Sequence, residues 1–216
     1  NFAHGEIYMI GAFTALIASS VLTLLGFNGF SLLCLAGLIA IIYSAAYGYT
    51  LEKIAYKPLR QAPRLSPLIS AIGMSIFLQN YVLLAQTSDF LSFPALIPEV
   101  PWLERFAHIM QPTEVVICVT TAVVMVLLTL FIKFTRMGMA MRATAQDKTM
   151  ALLLGVNVDR VVSVTFIIGS ALAAIGGVLI SSHIGQMNFY IGFIAGIKAF
   201  TAAVLGGIGS IPGAVL

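Results

Sequence analysis

The sequence predicts an all-α integral membrane protein, built as a polytopic bundle of transmembrane helices. Of the 216 residues, 60% are hydrophobic and only 9% are charged. A soluble domain carries about 25% charged residues, because its surface must face water. An ordinary soluble domain is therefore excluded. The third observation is a set of long charge-free stretches, of which the first runs from Ile7 to Leu51.

Those stretches predict where the chain crosses the bilayer. A hydrocarbon core about 30 Å thick needs about 20 apolar residues in helical form. The first stretch is long enough for two spans, and the segment GFNGFS in its middle predicts a turn. We predict spans near 7–25, 31–51, 66–86, 115–133 and 161–181, then a glycine-rich segment and a further span from about residue 211. Residues 1–216 are interpreted as a single transmembrane domain.

The connecting segments differ in the sign of their charge. Residues 52–64 and 133–160 are mainly basic, whereas residues 89–114 carry four acidic residues and one basic residue. Basic loops stay on the cytoplasmic side of a membrane. We therefore predict that both basic segments lie inside and the acidic one outside. Within the acidic segment, apolar and charged residues interleave over 98–110, which predicts a short interfacial helix with Trp102 at headgroup level.

The third predicted span carries polar side chains that a lipid-facing helix does not need. Ser75 and Gln79 are one turn apart and share a face, while Asn80 points about 100° away. Such side chains either line a water-filled path or hydrogen-bond to a neighbouring helix. We predict a transport pathway at Ser75, Gln79 and Asn80, with interhelical hydrogen bonding as the alternative.

The second basic segment contains a helix-like block from Met139 to Leu154. Its apolar residues Met150, Leu153 and Leu154 face one side, Gly155 suits the position after a helix end, and Asn157 or Asp159 can cap the next span. A short amphipathic helix outside the bilayer either docks a soluble cytoplasmic partner or is a solvated connector.

A glycine-rich region surrounds Lys198, the one charged residue between Val161 and Leu216. An ammonium group at the bilayer centre costs about 3 kcal/mol. With Gly206, Gly207 and Gly209 close behind, we predict a re-entrant half-helix over 193–209 on the outer side. Lys198 either snorkels to the interface or contacts substrate.

Small residues at four-residue spacing predict close helix packing. They are Gly169, Ala173, Gly177, Gly192 and Gly196.

Several function classes lack their sequence signatures. There is no phosphate-binding loop with its lysine, no metal-ligand spacing and no nucleophilic triad, so we expect no catalytic site, metal or cofactor on this chain. The net charge of +3 leaves no footprint for nucleic acid. An ion-coupled secondary transporter normally places a carboxylate or a paired charge in a span, and apart from Lys198 no such group occurs in the predicted spans, which argues against that class.

Four runs of residues are recognisable: NFAHGE at 1–6, SAIGMSIFLQNY at 70–81, the loop from Arg142 to Arg160, and KAFTAAVLGGIGSIPGA at 198–214. Together they resemble LivH-type permease subunits of bacterial branched-chain amino-acid ABC importers. The resemblance implies the ABC importer permease fold and a multi-pass location in the bacterial inner membrane. It also implies a LivM-type permease partner, two cytoplasmic ATP-binding subunits that carry ATP-Mg, and a periplasmic binding protein that delivers leucine, isoleucine or valine.

By the same resemblance, the second basic segment contains the coupling helix that sits in a groove of the ATPase. The residues assigned to this contact are Arg142, Ala143, Gln146, Asp147, Met150 and Gly155. The segment reads ATAQD at 143–147, where many ABC importers have E-A-A-x-x-x-G. Related chains carry further spans at both ends, so the resemblance predicts a fragment. Related permeases for urea, a sugar or other amino acids are the alternative, and a secondary transporter is a weaker one.

Overall fold

The computed structural model describes residues 2–60, 62–63, 65–97, 111–207, 209 and 213–214. Most of these residues are helical. The helices are α1 (His4–Leu24), α2 (Gly29–Leu51), α3 (Leu65–Ala85), α4 (Pro112–Phe134), α5 (Arg136–Gln146), α6 (Lys148–Leu153), α7 (Val158–Ile184) and α8 (Ile191–Leu205). Two strands of two residues each, β1 (Leu91–Ser92) and β2 (Gln186–Met187), pair antiparallel.

Five of these helices are long and apolar enough to cross a membrane: α1, α2 with its extension, α3, α4 and α7. Each one overlaps a predicted span. The prediction of an all-α, polytopic membrane protein is confirmed. The short β1–β2 pair was not predicted, because two-residue strands leave no periodic pattern in a sequence.

The first two helices are joined by a turn that depends on glycine. Gly26 has a φ of +89° and Gly29 a φ of +57°, a backbone region that other residues rarely adopt. The amide of Phe27 donates to the carbonyl of Leu22 at 3.1 Å, which closes the end of α1. At its other end α2 continues through a π-helical turn and a 3₁₀ turn as far as Leu59, so much of the first basic segment is helical.

Helix α1 lies at the centre of the bundle and contacts α2, α3, α7 and α8. Small residues allow these backbones to approach closely. A Cβ atom on Gly11 would lie 2.7 Å from Cα of Ala174, and one on Gly177 would overlap the carbonyl oxygen of Tyr8. The close packing predicted for the small-residue stripe is therefore confirmed at Gly177.

The two basic segments meet at one end of the bundle. Arg60 pairs there with both Glu52 and Asp159, which joins the end of α2 to the start of α7. At the opposite end of α7, the hydroxyl of Ser182 accepts a hydrogen bond at 2.9 Å from the amide of Leu96, in the acidic segment. The 27-residue α7 is about 40 Å long and separates the two ends. This arrangement agrees with the charge pattern.

One predicted element is wrong in form. The block from Met139 to Leu154 is not one helix but two, because α5 ends at Gln146 and α6 begins at Lys148. Between them Asp147 has an extended backbone, and its carboxylate accepts hydrogen bonds from the amides of Thr149 and Met150. Aspartate competes with helix continuation in this way. The interfacial helix predicted over 98–110 lies outside the described residues.

The last described helix, α8, has 15 residues and is about 22 Å long, too short for a bilayer core of about 30 Å. It ends against glycines: Gly207 and Gly209 have φ values of +90° and +100°, and a Cβ atom on Gly206 would overlap the carbonyl of Gly213. The helix begins two residues before the predicted range of 193–209 and ends four residues before its end. Entry of this segment from the outer side stays a prediction.

Candidate functional site

A buried carboxylate, that of Glu6, lies in the first turn of α1. The side chain of Glu6 has no exposed surface. Its Oε1 atom accepts hydrogen bonds from Oγ of Ser75 and from Nε2 of Gln79, each at 2.8 Å. These donors are one turn apart on α3, so the face-sharing that the sequence predicted is what brings both to the same oxygen. The contact joins α1 to α3.

The second oxygen of Glu6 is in a different position. Among the described residues Oε2 has no hydrogen-bond partner, although it is fully buried. It faces the start of α8, where a Cβ atom on Gly192 would lie 2.5 Å from it. A Cβ atom on Gly5 would likewise lie 2.8 Å from Cα of Gly196. Glycine at these three positions lets α8 press directly on α1 and on the carboxylate.

Two clefts flank this contact. The smaller one, of about 150 Å³, lies between α3 and α8, and we call it the α3–α8 cleft. Its lining consists of Phe2, Ile72, Ser75, Ile76, Gln79, Tyr190, Phe193, Gly196 and Ile197. The larger one, of about 520 Å³, lies between α1, α7 and α8 and is lined mainly by Leu172, Ala173, Ala195, Ala199, Phe200 and Ala203, with His4 and Tyr8. Both clefts are apolar with a few polar groups, which is the usual composition of small-molecule sites.

Asn80, the third residue predicted for the pathway, is not part of this cluster. It is exposed, and its Nδ2 atom donates to the carbonyl of Ile76 in its own helix at 2.8 Å. The helix rotation of about 100° per residue turns it away from Gln79. The structure therefore brings Ser75 and Gln79 together and leaves Asn80 on another face of α3.

The predicted coupling segment forms a concave surface where α5 and α6 meet. A depression of about 370 Å³ is lined by Ala143, Gln146, Asp147, Met150, Ala151 and Leu154. Four of the six predicted contact residues thus lie together. The apolar side chains of Met150 and Leu153 on α6 and of Leu154, which directly follows it, are exposed, the last two to 76%. Exposed apolar side chains beside a depression form a surface that a partner protein can bury.

Two other predicted contact residues have roles within the chain. The guanidinium of Arg142 donates to the carbonyls of Ile132 and Lys133 at the end of α4. Those carbonyls have no partners inside their own helix, so Arg142 acts as a C-terminal cap. Gly155 has a φ of +80°, as expected for the residue that follows a helix end. Asn157, not Asp159, caps α7: its Oδ1 atom accepts from the amide of Arg160 at 3.0 Å.

A second buried carboxylate, Glu52, anchors the end of the bundle that carries the coupling segment. It has no exposed surface, pairs with Arg60 through Oε1, and accepts a hydrogen bond from Oγ of Ser163 at 2.8 Å through Oε2. Arg60 in turn pairs with Asp159, which Lys57 also contacts at 3.1 Å. Asp159 lies just beyond α6, so this network connects the coupling segment to α2 and α7.

Lys198 lies near the middle of α8 and is exposed. Within the described ranges it forms no ion pair with a carboxylate. Its side chain points away from the α1 contact that Gly192 and Gly196 make on the same helix. Its role, either snorkelling to the interface or contacting substrate, stays a prediction.

A family model described as "branched-chain amino acid transport system / permease component" matches residues 1–216. The chain belongs to this permease family. It is a permease component of a transport system that has other components, and a multi-pass protein of the inner membrane.

Individual relatives agree with the family match. The high-affinity branched-chain amino acid transport system permease protein LivH of Salmonella typhimurium is 51% identical over 221 residues, covering 100% of this chain and 71% of its own length. LivH of Escherichia coli K12 is 50% identical with the same coverage. BraD of Pseudomonas aeruginosa is 51% identical over 220 residues, covering 100% of this chain and 72% of its own length. No solved structure matches the chain.

Sequence reasoning missed both buried carboxylates of this permease. The statement that no span holds a carboxylate is wrong for Glu6, because α1 begins at His4 and not at residue 7. Glu52 was placed in the connecting segment 52–64, but the helical backbone of α2 continues past it. The available signal was position: each glutamate adjoins a long apolar stretch, where a neighbouring helix can bury it.

Proposed function

We propose that this chain is a transmembrane subunit of an ABC importer that moves leucine, isoleucine and valine across the bacterial inner membrane. The observation that carries the proposal is the match to relatives named as branched-chain amino acid permeases, at 50–51% identity and over the whole chain. The cluster of Glu6, Ser75 and Gln79 beside apolar clefts supports it, because a polar group next to apolar walls suits a small amphiphilic solute.

The proposed assembly contains a LivM-type permease, two cytoplasmic ATP-binding subunits and a periplasmic substrate-binding protein. ATP-Mg is bound by the partner subunits, and this chain itself holds no cofactor and catalyses no reaction. The basic end of the bundle faces the cytoplasm, where Lys and Arg are retained. The concave α5–α6 surface is then the contact with an ATP-binding subunit, supported by its exposed apolar residues.

The geometry suggests how motion of the ATPase reaches the pathway. An ATP-binding subunit that moves the α5–α6 pair also moves the start of α7, because the two are joined by the short segment 154–157. The network of Glu52, Arg60 and Asp159 passes that displacement to α2. Both α2 and α7 pack on α1, which carries Glu6. Movement of α1 against α3 and α8 would then open and close the clefts.

The whole importer, purified and reconstituted into proteoliposomes, tests the transport function. We expect ATP-dependent uptake of labelled leucine when the binding protein is supplied, with competition by isoleucine and valine but not by urea or a sugar. Uptake driven by an ion gradient without ATP would instead indicate a secondary transporter. Competition by urea alone would favour the alternative solute.

The coupling surface is tested separately, by replacing the exposed residues Leu153 and Leu154 at the end of α6. We expect the double variant Leu153→Ser with Leu154→Ser to lose most uptake, because the apolar area that a partner would bury is removed. The control is Ile54→Ser, which replaces a side chain of similar exposure, 68%, at the same end of the bundle. Equal uptake by the double variant and the control would contradict the assignment of this surface.

The orientation is tested by cysteine labelling of intact cells with a membrane-impermeant maleimide. In a background with Cys34 and Cys118 replaced, Asp89→Cys should be labelled from outside and Lys148→Cys should not, although both positions are exposed. Labelling of Lys148→Cys from outside would place the coupling segment on the periplasmic side, where no ATP-binding subunit can reach it. That result would contradict the proposed transmission of ATPase motion through α5 and α6.

A further inference from the structure

The second carboxylate oxygen of Glu6, Oε2, takes no part in the contact between α1 and α3. The side chain is fully buried, Ser75 and Gln79 both donate to Oε1, and Oε2 has no partner among the described residues. Leaving a buried carboxylate oxygen without a donor is costly. Ionisable residues inside a membrane bundle are rare and mark pathways for substrates or ions. This oxygen therefore needs a donor that arrives from elsewhere.

The surroundings restrict what that donor is. Ser75 and Gln79, which line the α3–α8 cleft, donate hydrogen bonds to the carboxylate. The other walls of the cleft are mainly apolar and include Phe2, Ile72, Ile76, Phe193 and Ile197, with Tyr190 beside them. A ligand that suits this cleft has a hydrogen-bond donor at one end and a branched aliphatic group at the other.

We propose that Glu6 binds the ammonium group of the translocated amino acid, while the α3–α8 cleft receives its aliphatic side chain. This inference rests on the proposed function and names the substrate-contacting residue within it. An ionised carboxylate only accepts hydrogen bonds, and an ammonium group only donates them, so the two form a charge-assisted pair. A substrate carboxylate would be repelled by Glu6, and an uncharged solute such as urea has no need of a buried charge.

A metal ion is a poorer occupant than an ammonium group. Metal cations of the kind that carboxylates prefer require several oxygen ligands. No group of three or more His, Cys, Asp or Glu residues that could hold a metal occurs in the described part of the chain. The donors Ser75 and Gln79 present hydrogens, not lone pairs, to the carboxylate in this arrangement.

Binding at Oε2 requires α8 to move. Gly192, at the start of α8, lies against that oxygen and shields it. Next to the carboxylate, the α1–α8 contact is formed by Gly5, Gly192 and Gly196, which have no side chains to interlock, so at this point only backbone surfaces have to separate. The ammonium group thus replaces a glycine backbone at the carboxylate, and substrate binding is linked to separation of α1 and α8.

The first experiment measures binding by thermal stability of the purified, complete permease complex without its periplasmic binding protein. Millimolar leucine is expected to raise the melting temperature, because a ligand of the folded state stabilises it. The analogue 2-hydroxy-4-methylpentanoate, which has a hydroxyl in place of the ammonium group, is expected to give no shift. An equal shift with the analogue, or no shift with leucine, would overturn the proposal without the need for any variant.

The second experiment uses Glu6→Gln, which keeps the length of the side chain and the oxygen that accepts from Ser75 and Gln79 but removes the charge. We expect the leucine-induced shift to disappear and leucine uptake by the reconstituted importer to fall about tenfold or more. Ser20→Ala is the control and should behave as wild type, because the exposed hydroxyl of Ser20 donates to the carbonyl of Leu16 within α1 at 2.9 Å. Glu6→Asp retains the charge and should keep a measurable shift.

The outcomes separate this inference from the proposed function. If the wild-type importer takes up leucine and Glu6→Gln does so equally well, the role assigned to Glu6 is wrong and the function stands. If Glu6→Gln loses uptake but keeps the full leucine shift, Glu6 is a positioning residue between α1 and α3 and the proposal fails. If the wild-type importer moves no branched-chain amino acid, the proposed function itself fails.

Discussion

The glycine contact between α1 and α8 makes a quantitative prediction about stability. A Cβ atom added at Gly5 would lie 2.8 Å from Cα and 2.9 Å from N of Gly196, and closer still to the carbonyl oxygen of Gly192. Ordinary van der Waals contacts of a Cβ atom begin at 3.4 Å. The overlap is with backbone, which cannot rotate out of the way. The helices would have to separate by about half an ångström or more, which loses dispersion contacts along the interface. We expect Gly5→Ala to destabilise the protein by about 1–3 kcal/mol.

A matched substitution gives the opposite expectation. Gly73 lies in the interior of α3, and a Cβ atom there would meet nothing within 4 Å. Gly73→Ala should therefore stabilise the protein by up to about 1 kcal/mol through helix propensity alone. Both variants add one methyl group to a helical glycine, so their difference isolates the contact with α8.

The assay is the temperature at which the detergent-solubilised protein loses its monodisperse peak in size-exclusion chromatography. One kcal/mol corresponds to about 2–4 °C for a chain of this size. We expect Gly5→Ala to melt several degrees below wild type and Gly73→Ala at or above it. If Gly5→Ala melts as high as Gly73→Ala, α8 does not pack on α1 as described, and the shielding of Glu6 by Gly192 is wrong as well.

Three further predictions use the polar contacts. Arg60→Ala removes the ion-pair partner of the buried Glu52 and should lower the free energy of unfolding by about 3–5 kcal/mol. Lys57→Ala removes only an exposed contact and should cost about 0–1 kcal/mol. The measurement is the melting temperature of each variant, and equal values would refute the prediction. Ser182→Ala removes the hydroxyl that accepts hydrogen bonds from two buried amides and should lower the free energy of unfolding by about 1–3 kcal/mol. The measurement is amide hydrogen exchange at residues 96–97, which should become faster. Unchanged exchange would contradict the prediction. Asp147→Ala should remove a helix cap worth about 0.5–2 kcal/mol and reduce ATP-coupled uptake, whereas Asp147→Asn should keep the cap and the uptake. Wild-type stability and uptake in the alanine variant would show that the break between α5 and α6 does not depend on this cap.

The capping role of Asp147 makes this residue unsuitable as the only test of the coupling contact. Because Asp147 holds the start of α6, replacing it disturbs the fold of the segment as well as any contact with a partner. Arg142 has the same double role at the end of α4. Exposed residues without such contacts, such as Leu153 and Leu154, separate binding from folding.

Composition and charge pattern determined much of this protein without any coordinates. The lack of charged residues decided the membrane class, because the bilayer excludes unpaired charges from a lipid-facing surface. Runs of about 20 apolar residues placed the five long helices, each within three residues of its observed α-helical ends, although α2 continues through a π-helical and a 3₁₀ turn to Leu59. The sign of the connecting segments determined which of them share an end of the bundle, and the pairing of Arg60 with Asp159 agrees with it.

Tertiary structure decided what happens between the helices. Ser75 and Gln79 were recognisable as a polar pair on one face of α3, but which group they meet depends on the packing of α1. That packing also shows that Asn80 does not join their contact with Glu6. Glu6 and Glu52 look like loop residues in the sequence, because a helix end and a burial environment are set by neighbours far along the chain. Long-range contacts of this kind leave no local periodicity, and for that physical reason the carboxylate at the centre of the site came from the fold and not from the pattern.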